Sequence, residues 1–334
     1  MDLIHPVDAA EAAEALREGR RTLVVGGRRH MARLGSVDAE VELWTSALDR
    51  IVAYDPDEMI VVVQAGVRLG DLRAALADGG QEWPTDEPDD ATVGGVIAAG
   101  VDPVRRARVG LLRDSVVELE AVLGDGRTVT SGARVVKNVS GFDVHRLLTG
   151  SLGTLGVITQ VALKVRPLPA ARRTLVTGEG GLELGARVFD ALWRPAAVLV
   201  EPGRIVIHLE GWPAEVAEQE ASVRALTACE ATEHDVTPGV AAFPDAPHVV
   251  ELGVVPSRLG ETLEGLDAWR ALAGVGLAWV PCSDADDVDG AIARGEGGVV
   301  CRSATTLPDR RRRTDLEERV RATLDPAGVF AVSR

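Results

Sequence analysis

At 334 residues the chain is long enough for two domains of the usual size, about 100–200 residues each. Its 51 acidic and 36 basic residues leave a formal charge of −15, which argues against a general nucleic-acid binder, because that role needs a positive face against the phosphates. Hydrophobic residues make up 46% and are spread along the chain, so a sizeable core is expected, and no apolar run approaches the roughly 20 residues of a membrane span.

In chain order, MDLIHPVDAAEAAEALREGRR begins acidic and lacks the basic and apolar regions of a secretory signal. A helical pattern runs instead from Asp8, a natural N-cap, to Gly19, a natural stop. Residues 22–27 (TLVVGG) read as a short buried strand ending in two glycines. LDRIVAYDPDEMIVVVQAGVRLGDLRAAL then predicts strand, turn at Asp55-Pro56-Asp57, strand, and a helix over 69–76. A loop rich in Pro and Asp at 84–90 leads into the helix-compatible VGGVIAAG. SVVELEAVLGDGRTVTSG predicts a hairpin around Asp125-Gly126, a pair suited to positive φ. The β-branched stretch 153–165 predicts another strand, and RPLPA at 166–170 closes the first half. Beyond it, strands are expected at 197–209, 249–255, 275–280 and 297–301, with helices near 183–192, 214–227, 257–272 and 310–324.

Cys229, Cys282 and Cys301 are too few and too scattered for an iron–sulfur or zinc site, and the odd count fits a reducing cytoplasm better than a disulfide framework. His5, His145, His208, His234 and His248 show no metal-ligand spacing, so no metal site is expected. Arg310 to Arg313, followed by Asp315, Glu317 and Glu318, read as a solvated, salt-bridged helix face. The basic residues include only two lysines, Lys137 and Lys164, and Asn138 is the only asparagine. All three fall within one segment, where a general bias towards arginine is resisted.

Three glycine-bearing segments carry chemistry. In TLVVGGRRHMARLG (22–35), Gly26-Gly27 lets the backbone turn sharply and aim successive N–H groups at an anion such as a phosphate. It lacks the Gly-Lys-Ser/Thr of a Walker A loop and the three-glycine fingerprint of a Rossmann unit, so an ordinary Gly-Gly turn is the alternative. In PTDEPDDATVGGVIAAG (84–100), Thr92 offers a hydroxyl, Gly94 and Gly95 expose amides, and Ala98, Ala99 and Gly100 leave room for a large flat ligand or a tightly packed helix. In KNVSGFDVHRLLTGSLGTLGVI (137–158), Gly150, Gly153 and Gly156 recur every third residue around Ser151 and Thr154 and lead into Val157-Ile158.

In this order the segments resemble the FAD-binding domains of the p-cresol methylhydroxylase and vanillyl-alcohol oxidase superfamily, and within it the E-subunit type of bacterial glycolate oxidase. The likeness rests on GGRRHMARLG (26–35), IVAYDPDE (51–58), ATVGG (91–95), VKNVSGFDVHRLLTGSLGTLGVIT (136–159), ALKVRP (162–167) and LDPAGVF (324–330). It covers roughly 20–170 well, the tail weakly and 171–320 hardly at all. The resemblance implies an α+β chain with a two-lobed FAD-binding domain at 1–170, its lobes about 1–50 and 51–170. A smaller α+β cap at 171–320 and a tail at 321–334 returning to the FAD domain would follow. FAD would lie between the lobes, its pyrophosphate on the amides of Gly26, Gly27, Arg28, Arg29 and His30. Thr92, Gly94, Gly95 and Gly100 would face the phosphates and flavin. Gly153, Thr154, Gly156, Val157 and Ile158 would line the other lobe, and Asp114, beside Arg113, would cover the cofactor.

Lys137 is expected to pair with Asp143 while Asn138 satisfies backbone groups; a direct part in hydride transfer is the alternative. No catalytic residue is assigned: Tyr54 is the only tyrosine, and the cap shows no evident cluster of His, Arg and Tyr to hold a carboxylate. The implied function is the FAD-binding subunit of a cytoplasmic, glycolate-like 2-hydroxy-acid oxidoreductase. Its implied partners are a second flavoprotein subunit and an iron–sulfur subunit. Two departures open alternatives. The Gly-x-Arg-His order resembles sugar-alcohol and aldonolactone oxidases, whose histidine bonds the flavin covalently, so a covalent link through His30 in a stand-alone oxidase is the alternative to the noncovalent FAD expected here. Family tails continue past Gly-Val-Phe into Asn-Pro-Gly, whereas here Ala331-Val332-Ser333-Arg334 follow. That tail counts against a complete catalytic face on this subunit, and Arg28, Arg29 and Val101-Asp102-Pro103 suggest a further alternative, a scaffold subunit that has lost FAD.

Overall fold

The computed structural model describes residues 1–134, 143–232, 243–295, 299–301 and 314–332. They belong to two compact units, the first built from 1–102, 111–168 and 312–334, the second from 103–110 and 169–311. The tail from 312 therefore belongs with the first unit, and the short segment 103–110 leaves that unit to join the second. The unit boundary falls between Leu168 and Pro169, close to the expected residue 170.

The first unit opens with β1 (Asp2–Ile4), α1 (Ala9–Arg17), β2 (Thr22–Val25) and β3 (Val41–Trp44). Asp8 caps α1 as expected, its carboxylate accepting the N–H groups of Ala10 and Glu11 at 2.9 Å each. Ala12, Ala13 and Leu16 make one buried face of that helix, which packs against Leu43, Val122 and Phe330. The three strands form a parallel sheet in the order β1-β3-β2. The tail completes its edge: the Thr22 N–H donates to the Val329 carbonyl at 2.8 Å, and the Ala331 N–H to the Thr22 carbonyl at 2.8 Å.

The second lobe contains β4 (Ile51–Asp55), β5 (Ile60–Gln64), α2 (Leu69–Asp78), β6 (Gln81–Glu82) and α3 (Val93–Ala99). The chain then gives α4 (Arg106–Val109) to the second unit. It returns as α5 (Leu112–Ser115), β7 (Val116–Val122), β8 (Thr128–Gly132), α6 (Val144–Leu148), β9 (Val157–Lys164) and β10 (Arg166–Pro167). The large strands form a five-stranded antiparallel sheet, β4-β5-β9-β7-β8. Val61 and Val63 of β5, Leu119 of β7, and Val161 and Leu163 of β9 point to one face and pack with Leu72, Leu76 and Ile97 of α2 and α3. The predicted hairpin is present: Gly126 has φ 77°, and the Asp125 carboxylate accepts the Arg127 N–H at 3.0 Å.

The second unit is an eight-stranded antiparallel sheet made of β11 (Ala171–Thr177), β12 (Ala197–Glu201), β13 (Arg204–Gly211), β14 (Glu230–Thr232), β15 (His248–Gly253), β16 (Arg270–Leu272), β17 (Leu277–Cys282) and β18 (Val299–Cys301). Helices α7 (Leu182–Ala191), α8 (Pro213–Leu226), α9 (Leu259–Leu263) and α10 (Ala285–Arg294) accompany it, and α11 (Asp315–Leu324) belongs to the returning tail. Segment 103–110 is held to this unit by Glu210, only 3% exposed, which pairs with Arg105 at 2.8 Å and Arg108 at 3.4 Å. Among the described residues, no helix is long and apolar enough to cross a membrane.

Three expectations change. The strand at 197–209 is a hairpin, β12 and β13, turning at Gly203 with φ 76°. The helix expected over 257–272 shrinks to α9, because the sheet recruits Arg270–Leu272 as β16 between β12 and β17. The strand expected from 153 begins at Val157, because Leu152 and Gly153 have positive φ. Lys137, Asn138, His234 and Arg310 to Arg313 lie outside the described residues, and with them the expected Lys137–Asp143 pair.

Candidate cofactor-binding site

The three glycine-bearing segments meet in the first unit. Gly26, at the end of β2, lies so close to α3 that a Cβ there would stand 2.6 Å from Thr92 Oγ1 and 3.5 Å from Gly95 Cα. A Cβ on Gly94 would stand 2.6 Å from Ala65 Cβ at the end of β5, so α3 begins tight against that strand. The third segment closes the ring: the Leu152 N–H donates to the Ala98 carbonyl at 2.7 Å, and a Cβ on Gly153 would lie 3.1 Å from Val24 Cβ. Thr92 is the N-cap of α3, its hydroxyl accepting the Gly95 N–H at 3.3 Å, and the Gly94 N–H donates to the Ala65 carbonyl at 2.7 Å.

These bends surround a pocket of about 670 Å³, counting the part open to solvent. Ten of its twenty-one lining residues are Gly or Ala, so much of the wall is backbone that a large ligand can approach closely. Of the residues expected from the sequence, Gly26, Gly27, Arg28, Arg29, His30, Thr92, Gly94, Gly95, Gly153, Gly156 and Ile158 line it. Gly100, Asp114, Thr154 and Val157 do not. Gly100 ends α3 with φ 63°, packed against Gly150. Asp114 pairs with Arg146 at 3.1 Å, the Thr154 hydroxyl donates to the Ser151 carbonyl at 2.7 Å, and Val157 is fully buried beside Leu43 and Phe330, on the opposite side of β9 from Ile158. Sequence reasoning missed Val24, Met31, Leu34, Thr45, Ala65, Ala91, Val96 and Leu152, and it named Ala98 and Ala99 only as small neighbours. The Ala65-Gly66 pair was a readable signal: a Cβ on Gly66 would sit 2.1 Å from the Thr45 carbonyl oxygen, which marks close approach of β5 and the chain after β3.

The loop after β2 leaves a run of backbone donors without partners. Arg28 has φ 61°, a left-handed residue within the loop, the kind of conformation from which anion-binding backbone nests are made. Among the described residues, the N–H groups of Gly27, Arg28, Arg29 and His30 have no hydrogen-bond partner. Four consecutive unpaired donors beside a groove of small residues fit a pyrophosphate. Each side chain of the loop meets a carboxylate. Arg28 pairs with Glu42 and stacks on the Trp44 ring at 5.0 Å, Arg29 pairs with Asp90 at 3.0 Å, and His30 Nε2 lies 3.1 Å from Glu87 Oε2.

Comparison with known proteins agrees with this geometry. Residues 3–132 match the family described as FAD binding domain. The p-cresol methylhydroxylase-type fold expected from the sequence is borne out, with FAD as its cofactor. Glycolate oxidase subunit GlcE of Escherichia coli (strain K12) is 37% identical over 156 residues, 46% of this chain and 45% of that protein. D-lactate dehydrogenase of Anaerostipes hadrus is 36% identical over 166 residues, 49% of this chain and 34% of that protein. Glycolate oxidase subunit GlcD of Bacillus subtilis (strain 168) is 34% identical over 131 residues, 39% of this chain and 28% of that protein. The matched stretch thus spans less than half the length of these relatives. An alkyldihydroxyacetonephosphate synthase structure superposes with a TM-score of 0.69 at 16% identity, covering 98% of this chain and 75% of that one, which shows the fold alone.

Proposed function

We propose that this chain is an FAD-binding subunit of a 2-hydroxy-acid oxidoreductase of the glycolate oxidase type, acting in the cytoplasm within a complex. The observation that carries the reading is the row of unpaired amides at Gly27 to His30, in residues that line one groove with Gly26, Thr92, Gly94, Gly95, Gly153, Gly156 and Ile158. The relatives named for glycolate and D-lactate support the substrate class. The names GlcE and GlcD support a second flavoprotein subunit as partner, and an iron–sulfur subunit would carry electrons onward.

In this reading the chain positions and the cofactor reacts: bound here, FAD supplies a two-electron acceptor for the α-carbon hydrogen of a small hydroxy acid. The loop amides hold the pyrophosphate, and the small residues of α3 admit the flat ring system. Gly153 and Leu152, both with positive φ, keep the third segment against β2 so that no side chain fills the groove.

Purification tests the reading directly. The full chain is expected to copurify with flavin, released into the supernatant on acid precipitation and leaving a colourless pellet. A chain that neither retains nor rebinds FAD would leave the scaffold alternative. A yellow pellet would instead establish a covalent bond, for which His30, lining the pocket, is the nucleophile at hand.

A further inference from the structure

The two arginines of the anion loop are held in different ways, and the difference assigns them different tasks. Arg28 is pinned. Its partner Glu42 is 5% exposed at the side chain and also accepts the Trp44 indole N–H at 2.9 Å, and the Arg28 guanidinium stacks on that same ring. Arg29 is held lightly. One nitrogen, Nη1, reaches both oxygens of Asp90 at 3.0 Å, while Nε stands 4.0 Å from Glu87, beyond hydrogen-bond distance. Both side chains of the Arg29–Asp90 pair are well exposed, 41% and 60%, and the Asp90 carboxylate has no other partner among the described residues.

The backbone under Asp90 is anchored independently of its side chain. Arg68 donates to the Asp90 carbonyl at 3.4 Å, and the Leu69 and Gly70 N–H groups donate to the Ala91 and Asp89 carbonyls at 2.9 and 3.0 Å. Arg73 adds bonds to the carbonyls of Glu87 at 2.7 Å and Thr85 at 3.2 Å. The carboxylate can therefore swing away by side-chain rotation without moving the loop that carries Ala91 and Thr92.

We propose that Asp90 is an internal stand-in for the cofactor's pyrophosphate: it occupies Arg29 in the empty protein and yields that guanidinium to the dinucleotide on binding. The proposal rests on the FAD reading above. An anion attracted to the free amides of Gly27 to His30 meets Arg29 beside them, and a phosphate can engage a guanidinium through two nitrogens, where Asp90 engages one. Asp90 thus competes with the cofactor, and removing its charge strengthens binding.

The test is a double-mutant cycle on the deflavinated full-length chain, with FAD affinity read from quenching of flavin fluorescence. Inorganic pyrophosphate, as a competitor, serves as a second probe. Asp90→Asn is expected to bind FAD about two- to fivefold more tightly than the natural chain, the scale of an exposed ion pair. Arg29→Gln is expected to bind about three- to tenfold more weakly. Combining the two should give the affinity of Arg29→Gln alone, because Asp90 acts only through Arg29. Pyrophosphate alone should likewise bind Asp90→Asn more tightly, by a similar factor, and Arg29→Gln more weakly. Equal or weaker binding by Asp90→Asn overturns the proposal. So does an equal gain in the Arg29→Gln background, which would make Asp90 a diffuse field rather than a competitor. Failure of the natural chain to bind FAD at all overturns the cofactor reading and this proposal with it.

Discussion

At the scale of single residues, the site is a set of polar groups placed by what surrounds them. Arg28, Arg29 and His30 each answer to one carboxylate, from Glu42, Asp90 and Glu87, so the loop keeps its shape while its amides stay unpaired. Motif reading found the loop because Gly26-Gly27 is a local signal. It did not find the three carboxylates, since partners 14, 57 and 61 residues away in sequence leave no local trace. His145 shows what burial does to a group inside a motif. It is 7% exposed, with Nδ1 3.0 Å from Ser131 Oγ, and its pKa is held below the ordinary value by desolvation, with Asp143 opposing and Arg146 reinforcing the shift. The unfolded chain therefore takes up a proton near its usual pKa of about 6.5 while the folded site refuses it, so stability falls as pH drops below that value. A series of melting temperatures should show that slope reduced in His145→Asn, whose carboxamide can keep the bond to Ser131.

At the scale of elements, α3 is the piece on which the pocket turns. It starts where Thr92 caps it and Gly94 lies against Ala65, and it stops at left-handed Gly100. Replacing Thr92 with Ala removes the cap and should cost about 1 kcal/mol, read from the urea midpoint, and the same protein should retain less flavin through purification. Elements with strong local grammar were legible: Asp8 announced α1, Asp125-Gly126 announced the β7–β8 hairpin, and the β-branched run Ile60-Val61-Val62-Val63 announced β5. Elements whose fate depends on a distant neighbour were not. The stretch 257–272 has helical character, yet Arg270–Leu272 fills a place between two strands, where backbone pairing outweighs intrinsic preference. Left-handed Leu152 was equally hidden, because leucine gives no hint of positive φ.

At the scale of the whole molecule, sequence reading separated an FAD-binding half from a second α+β part, but it could not see that 103–110 changes units, because that exchange depends on the buried Glu210 pairing with Arg105 and Arg108. The C-terminal segment is the other long-range feature. Asp325, 3% exposed, accepts the N–H groups of Val329 at 2.7 Å and Phe330 at 3.0 Å, and so turns the chain from α11 into its place beside β2. Asp325→Ala leaves both donors buried without an acceptor and should destabilise the protein by about 3 kcal/mol in chemical unfolding, the largest loss expected from any variant considered. Phe330, 1% exposed, sits among Leu16, Leu43 and Val157. The edge of the first sheet at Thr22 is thus closed by Phe330, from the opposite end of a long loop of chain. Such a contact costs loop-closure entropy before it rewards it, so this seam is expected to form late, after the strands and helices whose partners are near in sequence.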